Sequence, residues 1–177
     1  MQQGGKIDSF GVGERLITAK SDPVFGAVYK IAAVEENGIF EPRIKVSENV
    51  EKITNPGLKD VYRVYDETGH SIADLIVRTG ETVDMSKPYR YADPVKPWKN
   101  RYFENCHAVK LQQKVVEKGK RIVEKQSLDE IRDYVKQQLA TEVWEEEQRF
   151  VNPHKHYMDM TPDYYDMKMS LLNDSRA

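Results

Sequence analysis

The chain has 177 residues, of which 39% are hydrophobic and 32% charged, and its formal net charge is −2. This length is short of the about 250 residues of a complete α/β barrel, the weak charge gives no general attraction to nucleic acid or an anionic membrane, and no run of about 18 apolar residues predicts a membrane span. The single cysteine excludes an internal disulfide and favours a reducing, cytoplasmic compartment.

A Gly-x-Gly turn lies between two short apolar runs near the start of the sequence. Over residues 1–20 we predict a strand, then the turn at Gly11-Val12-Gly13, and then a second strand or a helix start. Glycine permits positive φ and lets another group approach the backbone closely. Successive free backbone N–H groups form an anion site, for which phosphate is the usual guest. The three-residue pattern taken alone favours a simple tight turn.

Two β-hairpins are predicted in the next part of the chain. Residues 24–34 are rich in β-branched and aromatic side chains, and residues 39–46 form the partner strand across an Asn37-Gly38 turn. Residues 59–66 alternate in polarity, and residues 71–78 return as a second partner strand. Together the two hairpins predict a small antiparallel sheet.

Residues 79–105 are rich in proline and aromatic side chains, which predicts an extended connector that packs over another surface. Further short β-segments are predicted at 108–117 and 121–124, on either side of a turn at Lys118-Gly119-Lys120.

The C-terminal part of the sequence predicts helices. Ser127 and Glu130 form a capping-box pattern, and four apolar residues follow at spacings of three and four. We predict that this helix ends at Asn152-Pro153 and that Thr161-Pro162 begins another, over 163–172. The apolar stripe consists of Leu128, Ile131, Val135 and Leu139.

Several long stretches of the sequence resemble the C-terminal part of bacterial nicotinate phosphoribosyltransferases. They are IDSFGVGERLITAKSDPVFGAVYK at 7–30 and KITNPGLKDVYRVYD at 52–66, followed by Ser127-Leu128-x-Glu130-Ile131-Arg132, by Trp144, and by Arg149-Phe150-x-Asn152-Pro153-His154.

The resemblance implies an α+β fold: a fragment with the last strand of an α/β barrel, small antiparallel β-hairpins or a small sheet, and C-terminal helices. It divides the chain into the end of the barrel with its glycine loop (1–22), a β-rich region (23–126) that contains the connector (79–105), and a helical tail (127–177).

The resemblance also implies a site. The backbone of Gly11, Val12 and Gly13 is similar to the loop that holds the 5′-phosphate of phosphoribosyl pyrophosphate or of the mononucleotide product. Many members carry threonine where this chain has Glu14, so we expect Glu14 to point away from a phosphate. Asp8 and Ser9 either position the ribose or phosphate or form a buried polar pair. Further side chains are phosphate contacts or only surface charges: Arg15, Lys30, Lys45, Lys52 and Arg63.

The family reaction transfers a phosphoribosyl group to nicotinate, yields nicotinate mononucleotide for NAD salvage, is coupled to ATP and uses Mg²⁺. By this resemblance the catalytic histidine and the nicotinate-binding residues lie upstream. We therefore expect no catalytic residue and no metal ligand here, no ATP or Mg²⁺ bound by this chain alone, and dependence on the N-terminal part of an enzyme that is a homodimer when intact. The alternative is an interaction or oligomerisation module, or one half of a split enzyme.

Two other candidate sites are weak. His154-x-His156 follows Asn-Pro in a loop, and no third ligand is in sight, so a structural role for His154 beside aromatic residues is favoured over a metal site. Cys106-His107 does not have the geometry of a nucleophile and its base, because adjacent residues rarely face each other.

Overall fold

The computed structural model describes residues 4–24, 26–92, 98–149 and 151–175. It divides into two compact units, residues 1–30 and residues 31–177. The predicted boundaries at residues 22 and 126 stay predictions, and residues 93–97 of the predicted connector lie outside the described part of the chain.

The described residues of the N-terminal unit form one short helix, α1 (Glu14–Ile17). The strands of the C-terminal unit are β1 (Ala33–Glu36), β2 (Ile39–Pro42), β3 (Lys59–Tyr65), β4 (Ser71–Arg78), β5 (Tyr89–Ala92), β6 (Asn100–Phe103), β7 (His107–Lys110), β8 (Val116–Glu117), β9 (Lys120–Arg121) and β10 (Met158–Met160). Its helices are a 3-10 turn (Val50–Lys52), α2 (Leu128–Thr141) and α3 (Pro162–Asp174).

A four-stranded sheet in the order β10-β4-β3-β7 forms the centre of the C-terminal unit. The predicted hairpin of β3 and β4 is confirmed, because the alternation of residues 59–66 matches the pleat and the chain turns at residues 66–69. The prediction that the two hairpins together form one antiparallel sheet is wrong, since β1 and β2 form a separate two-stranded sheet and β10 pairs with β4 in parallel. A parallel neighbour leaves no hairpin signal in the sequence because it arrives from far along the chain.

A β-bulge in β4 decides which side chains form the main core. Tyr65 pairs with Ser71 and Val64 with Ala73, so Ile72 is the extra residue between them. The bulge shifts the alternation by one. Ile72 therefore joins Val64, Leu75 and Val77 in one buried cluster, against which Tyr62, Val83, Met85, Tyr89, Phe103, Cys106 and Ala108 pack.

Helix α3 covers a second cluster formed by Ile76, Met160 and Tyr164. Thr161 caps the helix by accepting a hydrogen bond from the Tyr164 N–H, and Pro162 occupies the first turn, which confirms the predicted helix start. Tyr164 is fully buried, and its hydroxyl donates to the Pro56 carbonyl at 2.7 Å. The helix thereby holds the Asn55-Pro56-Gly57 turn, whose Asn55 Oδ1 also accepts from Lys168 Nζ at 2.8 Å.

For the hairpin predicted over residues 24–46, the turn is confirmed but the strands are shorter than predicted. Asn37 and Gly38 both have positive φ, +55° and +80°, as a two-residue hairpin turn requires. The strand predicted over 24–34 is wrong, since β1 begins only at Ala33. Val24, Val28 and Tyr29 are 73%, 76% and 89% exposed, and β-branched side chains favour a strand only where a neighbouring surface packs against them.

Helix α2 begins as predicted and ends early. Ser127 and Glu130 form the complete capping box. The helix ends at Thr141, not at Asn152-Pro153, because the N–H groups of Glu142 and Val143 both bond to the Gln138 carbonyl and close the last turn. The acidic residues that follow are unfavourable at the negative end of the helix dipole. Ser71 Oγ donates to the Glu142 carbonyl and Trp144 Nε1 donates to the Ser71 carbonyl, so the chain is held against β4 instead.

Candidate functional site

The glycine loop leads directly into α1 in the N-terminal unit. Gly13 is the N-cap residue of this helix, and the Leu16 N–H bonds to the Gly13 carbonyl at 3.1 Å. The structure forms a helix start after the loop and no strand over residues 7–10. The strand predicted before the loop is therefore wrong for this chain, because a barrel strand needs neighbouring strands to pair with its backbone.

The two glycines of the loop are not needed for positive φ. Neither Gly11 nor Gly13 lies in the left-handed region, which corrects one reason given above for their presence. A Cβ placed on either glycine would meet no heavy atom of the described residues within 4 Å. The other reason, close approach of a bound group to bare backbone, is compatible with this geometry.

The side chains predicted to assist the loop are open to solvent. Asp8 and Ser9 are both exposed, so the interpretation of a buried polar pair is wrong. Arg15 lies in α1, and Lys30 is the last residue of the unit. Every described residue from 4 to 30 is exposed.

Arg63 has a different role from the predicted phosphate contact. It faces Asp74 in register across β3 and β4, with Nε 2.8 Å and Nη2 3.0 Å from the two carboxylate oxygens. The Arg63 side chain is 21% exposed and that of Asp74 is 14% exposed. Burial acts to raise the pKa of Asp74, but His156 and Arg63 outweigh it and lower that pKa to about 2. Lys45 and Lys52 are exposed, as surface charges are.

Three further charged groups complete the cluster around Arg63 and Asp74. His156 Nδ1 lies 2.9 Å from Glu147 Oε1, and its Nε2 lies 3.5 Å from Asp74 Oδ1. Glu142 Oε2 lies 3.7 Å from Arg63 Nη1, which is an ion-pair contact longer than a hydrogen bond. Arg63, Asp74, Glu142, Glu147 and His156 thus form one half-buried ionic network, named the charged cluster below. Sequence reasoning missed it, because these residues are up to 93 positions apart.

We expect the free energy of unfolding to fall as the pH rises through the pKa of His156. Asp74 first, and also Glu147, raise this pKa above 6.5 against the opposing effect of burial. A histidine whose pKa is higher in the folded state than in the unfolded state stabilises the fold. This stabilisation is complete at a pH below the unfolded pKa of about 6.5, and it is lost as the pH rises through the folded pKa. Urea unfolding between pH 5.5 and 9 should show this decline. It should vanish in His156→Gln and persist in His154→Gln, whereas a flat wild-type profile would contradict the ion-pair assignment.

A cavity of about 510 Å³ lies in the C-terminal unit next to the charged cluster. Phe103, Trp144 and Tyr157 contribute aromatic walls, and Arg101 lies over the Tyr157 ring at 5.3 Å. Two of its acidic residues are already paired, Glu147 with His156 at 2.9 Å and Glu146 with Arg149 at 3.5 Å. With three lining carboxylates, Asp66, Glu146 and Glu147, the cavity suits a phosphate poorly.

His154 and Cys106, the residues of the two weaker candidate sites, lie beside aromatic or core residues. His154 packs edge-on against Tyr157 at 5.1 Å between ring centroids, which confirms its predicted packing role. Burial raises the pKa of the Cys106 thiol, and Cys106 Sγ donates to the Glu104 carbonyl at 3.3 Å. Both features keep the sulfur protonated and unreactive at neutral pH.

Known proteins match both the sequence and the fold. A family model described as "Nicotinate phosphoribosyltransferase C-terminal domain" matches residues 58–168. The nicotinate phosphoribosyltransferase of Bacillus subtilis is 36% identical over 176 residues, which cover 99% of this chain and 36% of that protein. The enzyme of Dictyostelium discoideum is 33% identical over 182 residues, covering 98% of this chain and 30% of that protein.

The chain belongs to the nicotinate phosphoribosyltransferase family.

The human nicotinic acid phosphoribosyltransferase crystal structure has a similar fold, with a TM-score of 0.57 and 18% identity over 70% of this chain and 24% of that one. The chain thus spans about a third of the length of the curated nicotinate phosphoribosyltransferases that it matches. The central sheet and the charged cluster both lie within residues 58–168, which the family model matches. The glycine loop lies outside that range but within the part of the chain that matches the Bacillus subtilis enzyme. No helix in the described ranges is long and apolar enough to cross a membrane.

Proposed function

We propose that this chain supplies the C-terminal part of a nicotinate phosphoribosyltransferase, which makes nicotinate mononucleotide from nicotinate and phosphoribosyl pyrophosphate, with ATP, in cytoplasmic NAD salvage. The observation that carries the proposal is the match to the Bacillus subtilis enzyme, which extends over 99% of the chain. It reaches beyond the C-terminal domain model at residues 58–168 and includes the glycine loop.

In this proposal Gly11, Val12 and Gly13 donate backbone N–H groups to the 5′-phosphate of the substrate or the mononucleotide. The bare backbone at both glycines and the exposure of the loop support it, because a phosphate oxygen can come within hydrogen-bond distance with no Cβ in the way. Asp8, Ser9, Arg15 and Lys30 are proposed as the surrounding polar groups, and Glu14 as a group that points elsewhere.

The catalytic histidine and the nicotinate-binding residues of the enzyme are proposed to lie in its N-terminal part. The described ranges hold no group of three His, Cys, Asp or Glu side chains that could hold a metal ion. We assign the binding of Mg²⁺, ATP and nicotinate to the N-terminal part of the enzyme, in what is proposed to be a homodimer. Alone, the 177-residue chain is expected to show no turnover.

An experiment on a hybrid enzyme tests the proposal. The first part of the Bacillus subtilis relative is fused to this chain in place of its own last third, and nicotinate mononucleotide formation is measured. The hybrid should be active, and the 177-residue chain alone and the truncated relative should both be inactive. An inactive but folded hybrid, or turnover by this chain alone, would contradict the proposal.

The loop itself is tested by Gly11→Ala in the hybrid. A Cβ at this position should weaken mononucleotide binding about tenfold or more, because loss of one hydrogen bond to a charged phosphate costs about 1.5–3 kcal/mol. Calorimetric titration with nicotinate mononucleotide measures the change. Gly26→Ala is the matched control, since Gly26 also lacks positive φ and also has open space around it. Equal affinity of the two variants for the mononucleotide would exclude phosphate binding by the backbone of the glycine loop.

The second candidate is an interaction or oligomerisation module, which includes one half of a split enzyme. It is favoured by the amount of apolar surface that helix α2 exposes. Mononucleotide binding by this chain alone, without the N-terminal part, would favour an independent module.

A further inference from the structure

Helix α2 has the sequence pattern of a packed helix but lacks the packing. Leu128, Ile131, Val135 and Leu139 recur at spacings of three and four, yet their exposed fractions are 74%, 43%, 47% and 47%. No residue of the 14-residue helix is buried. These four side chains lie within an arc of about 80° around the helix axis, at 100° per residue. They are named the α2 apolar face below.

A helix of this length needs more than its own hydrogen bonds. Isolated helices of fewer than about 12–15 residues are marginal in water, and most helical stability in proteins comes from packing of an apolar face. Ser127 and Glu130 cap one end of α2, which stabilises the helix by about 1 kcal/mol. The sequence therefore favours both the helix and its apolar face, but the described residues of the C-terminal unit do not cover that face.

The segment that leads into α2 continues the apolar character. The β8–β9 hairpin pairs only with itself among the described strands. Val115, Val116 and Ile122, in and beside this hairpin, are 51%, 55% and 50% exposed. Residues 115–139 thus expose aliphatic side chains in both of their elements.

The charges on α2 give no reason for nucleic acid or an anionic membrane to bind. Arg132 lies 3.4 Å from Asp129, and Lys136 lies 3.2 Å from Asp133, so each cation is neutralised by a carboxylate one turn earlier. An aliphatic helix face whose neighbouring cations are paired with carboxylates is instead typical of a helix that packs on a folded protein surface.

We propose that the α2 apolar face docks on the N-terminal part of a nicotinate phosphoribosyltransferase. The inference rests on the proposed function, and it adds the surface through which the two parts of the enzyme meet. The curated relatives that match 98–99% of this chain have only 30–36% of their length in the match, so most of such an enzyme is available to cover α2. Within the C-terminal unit, no described element covers it.

The test uses this chain co-expressed with an affinity-tagged N-terminal part of the Bacillus subtilis relative. The variant Ile131→Glu/Val135→Glu places two carboxylates in the apolar face. The matched control is Gln137→Glu/Ala140→Glu, which adds the same two groups on the opposite side of the helix, where both positions are exposed. Since all four side chains are exposed, both variants should give the circular dichroism spectrum of the unmodified chain.

The unmodified chain and the control should co-purify with the N-terminal part, and the face variant should bind at least 100-fold more weakly. Equal capture of both variants, or no capture of the unmodified chain, overturns the proposal. Self-association of the chain that only the face variant abolishes also overturns it and makes a second copy the occupant.

The hybrid enzyme separates this inference from the proposed function. If the hybrid is active and the face variant is still captured fully, the docking surface is wrong and the enzyme assignment stands. If the hybrid is folded but inactive and the face variant alone loses capture, the docking surface stands and the enzyme assignment is wrong.

Discussion

Arg63→Met should lower the free energy of unfolding of the chain by about 3 kcal/mol. The substitution leaves the Asp74 and Glu142 carboxylates without the guanidinium that lies 2.8 Å and 3.7 Å away, at side-chain exposures of only 14% and 11%. Removal of one partner from a buried ion pair costs about 3–5 kcal/mol, and the partial exposure of this one places it at the lower end. Urea unfolding followed by circular dichroism measures the loss.

Arg132→Met is the matched control for this loss. Arg132 also pairs with an aspartate, but the two side chains are 72% and 88% exposed, so the effect should stay within about 0.5 kcal/mol. Adding Asp74→Asn to Arg63→Met should recover part of the lost stability, because it removes one uncompensated charge. Equal losses for Arg63→Met and Arg132→Met would mean that the charged cluster contributes nothing beyond a surface pair.

Tyr164→Ala should lower the free energy of unfolding by about 3–5 kcal/mol. Tyr164 is fully buried between α3 and the sheet, so truncation leaves a cavity and removes the clamp on the Pro56 carbonyl. Tyr164→Phe should cost about 1–3 kcal/mol, because it keeps the ring and leaves that buried carbonyl without its donor. Thermal and urea unfolding separate the two contributions.

Tyr134→Ala provides the comparison for the tyrosine variants. Tyr134 lies on α2 and is 58% exposed, so its truncation should change the stability of this chain by less than about 0.5 kcal/mol. A Tyr164→Phe variant as stable as the unmodified chain would show that the hydroxyl contributes nothing to the hold on the Asn55-Pro56-Gly57 turn.

The sequence predicted the elements whose signals are local. The alternation of residues 59–65, the Asn37-Gly38 turn, the capping box of Ser127 and the cap of Thr161 each lie within a few residues of the structure that they specify. Such patterns act through neighbouring backbone groups, so they hold in almost any tertiary setting.

The features that the sequence did not predict depend on distant residues. β10 has only three residues, too few to predict a strand from their alternation, and it forms because the edge of β4 accepts it. The end of α2 at Thr141 depends on the contacts of Glu142 and Trp144 with Ser71, more than 70 positions away. The strand predicted over 24–34 has local signals but lacks distant partners, since its described side chains Val24, Val28 and Tyr29 stay exposed.

In the candidate site, too, the features with a local motif were predicted and those that depend on distant residues were not. The position of the glycine loop follows from a motif of three residues, and the structure places it at the start of α1. The reason for its glycines did not follow from the motif, because φ depends on the conformation that the loop adopts. Arg63 was given a phosphate or a surface role because no local pattern links it to Asp74 and His156.

The parallel pairing of β10 with β4 makes the order of synthesis matter. Residues 71–78 leave the ribosome about 80 residues before residues 158–160, so one edge of β4 has no partner until those residues have been made. Until then β4 presents apolar side chains and unpaired backbone groups, which is the arrangement most prone to strand-to-strand aggregation. Nascent chains that stall before Met158 are therefore expected to depend on chaperones far more than chains that stall after Asp174.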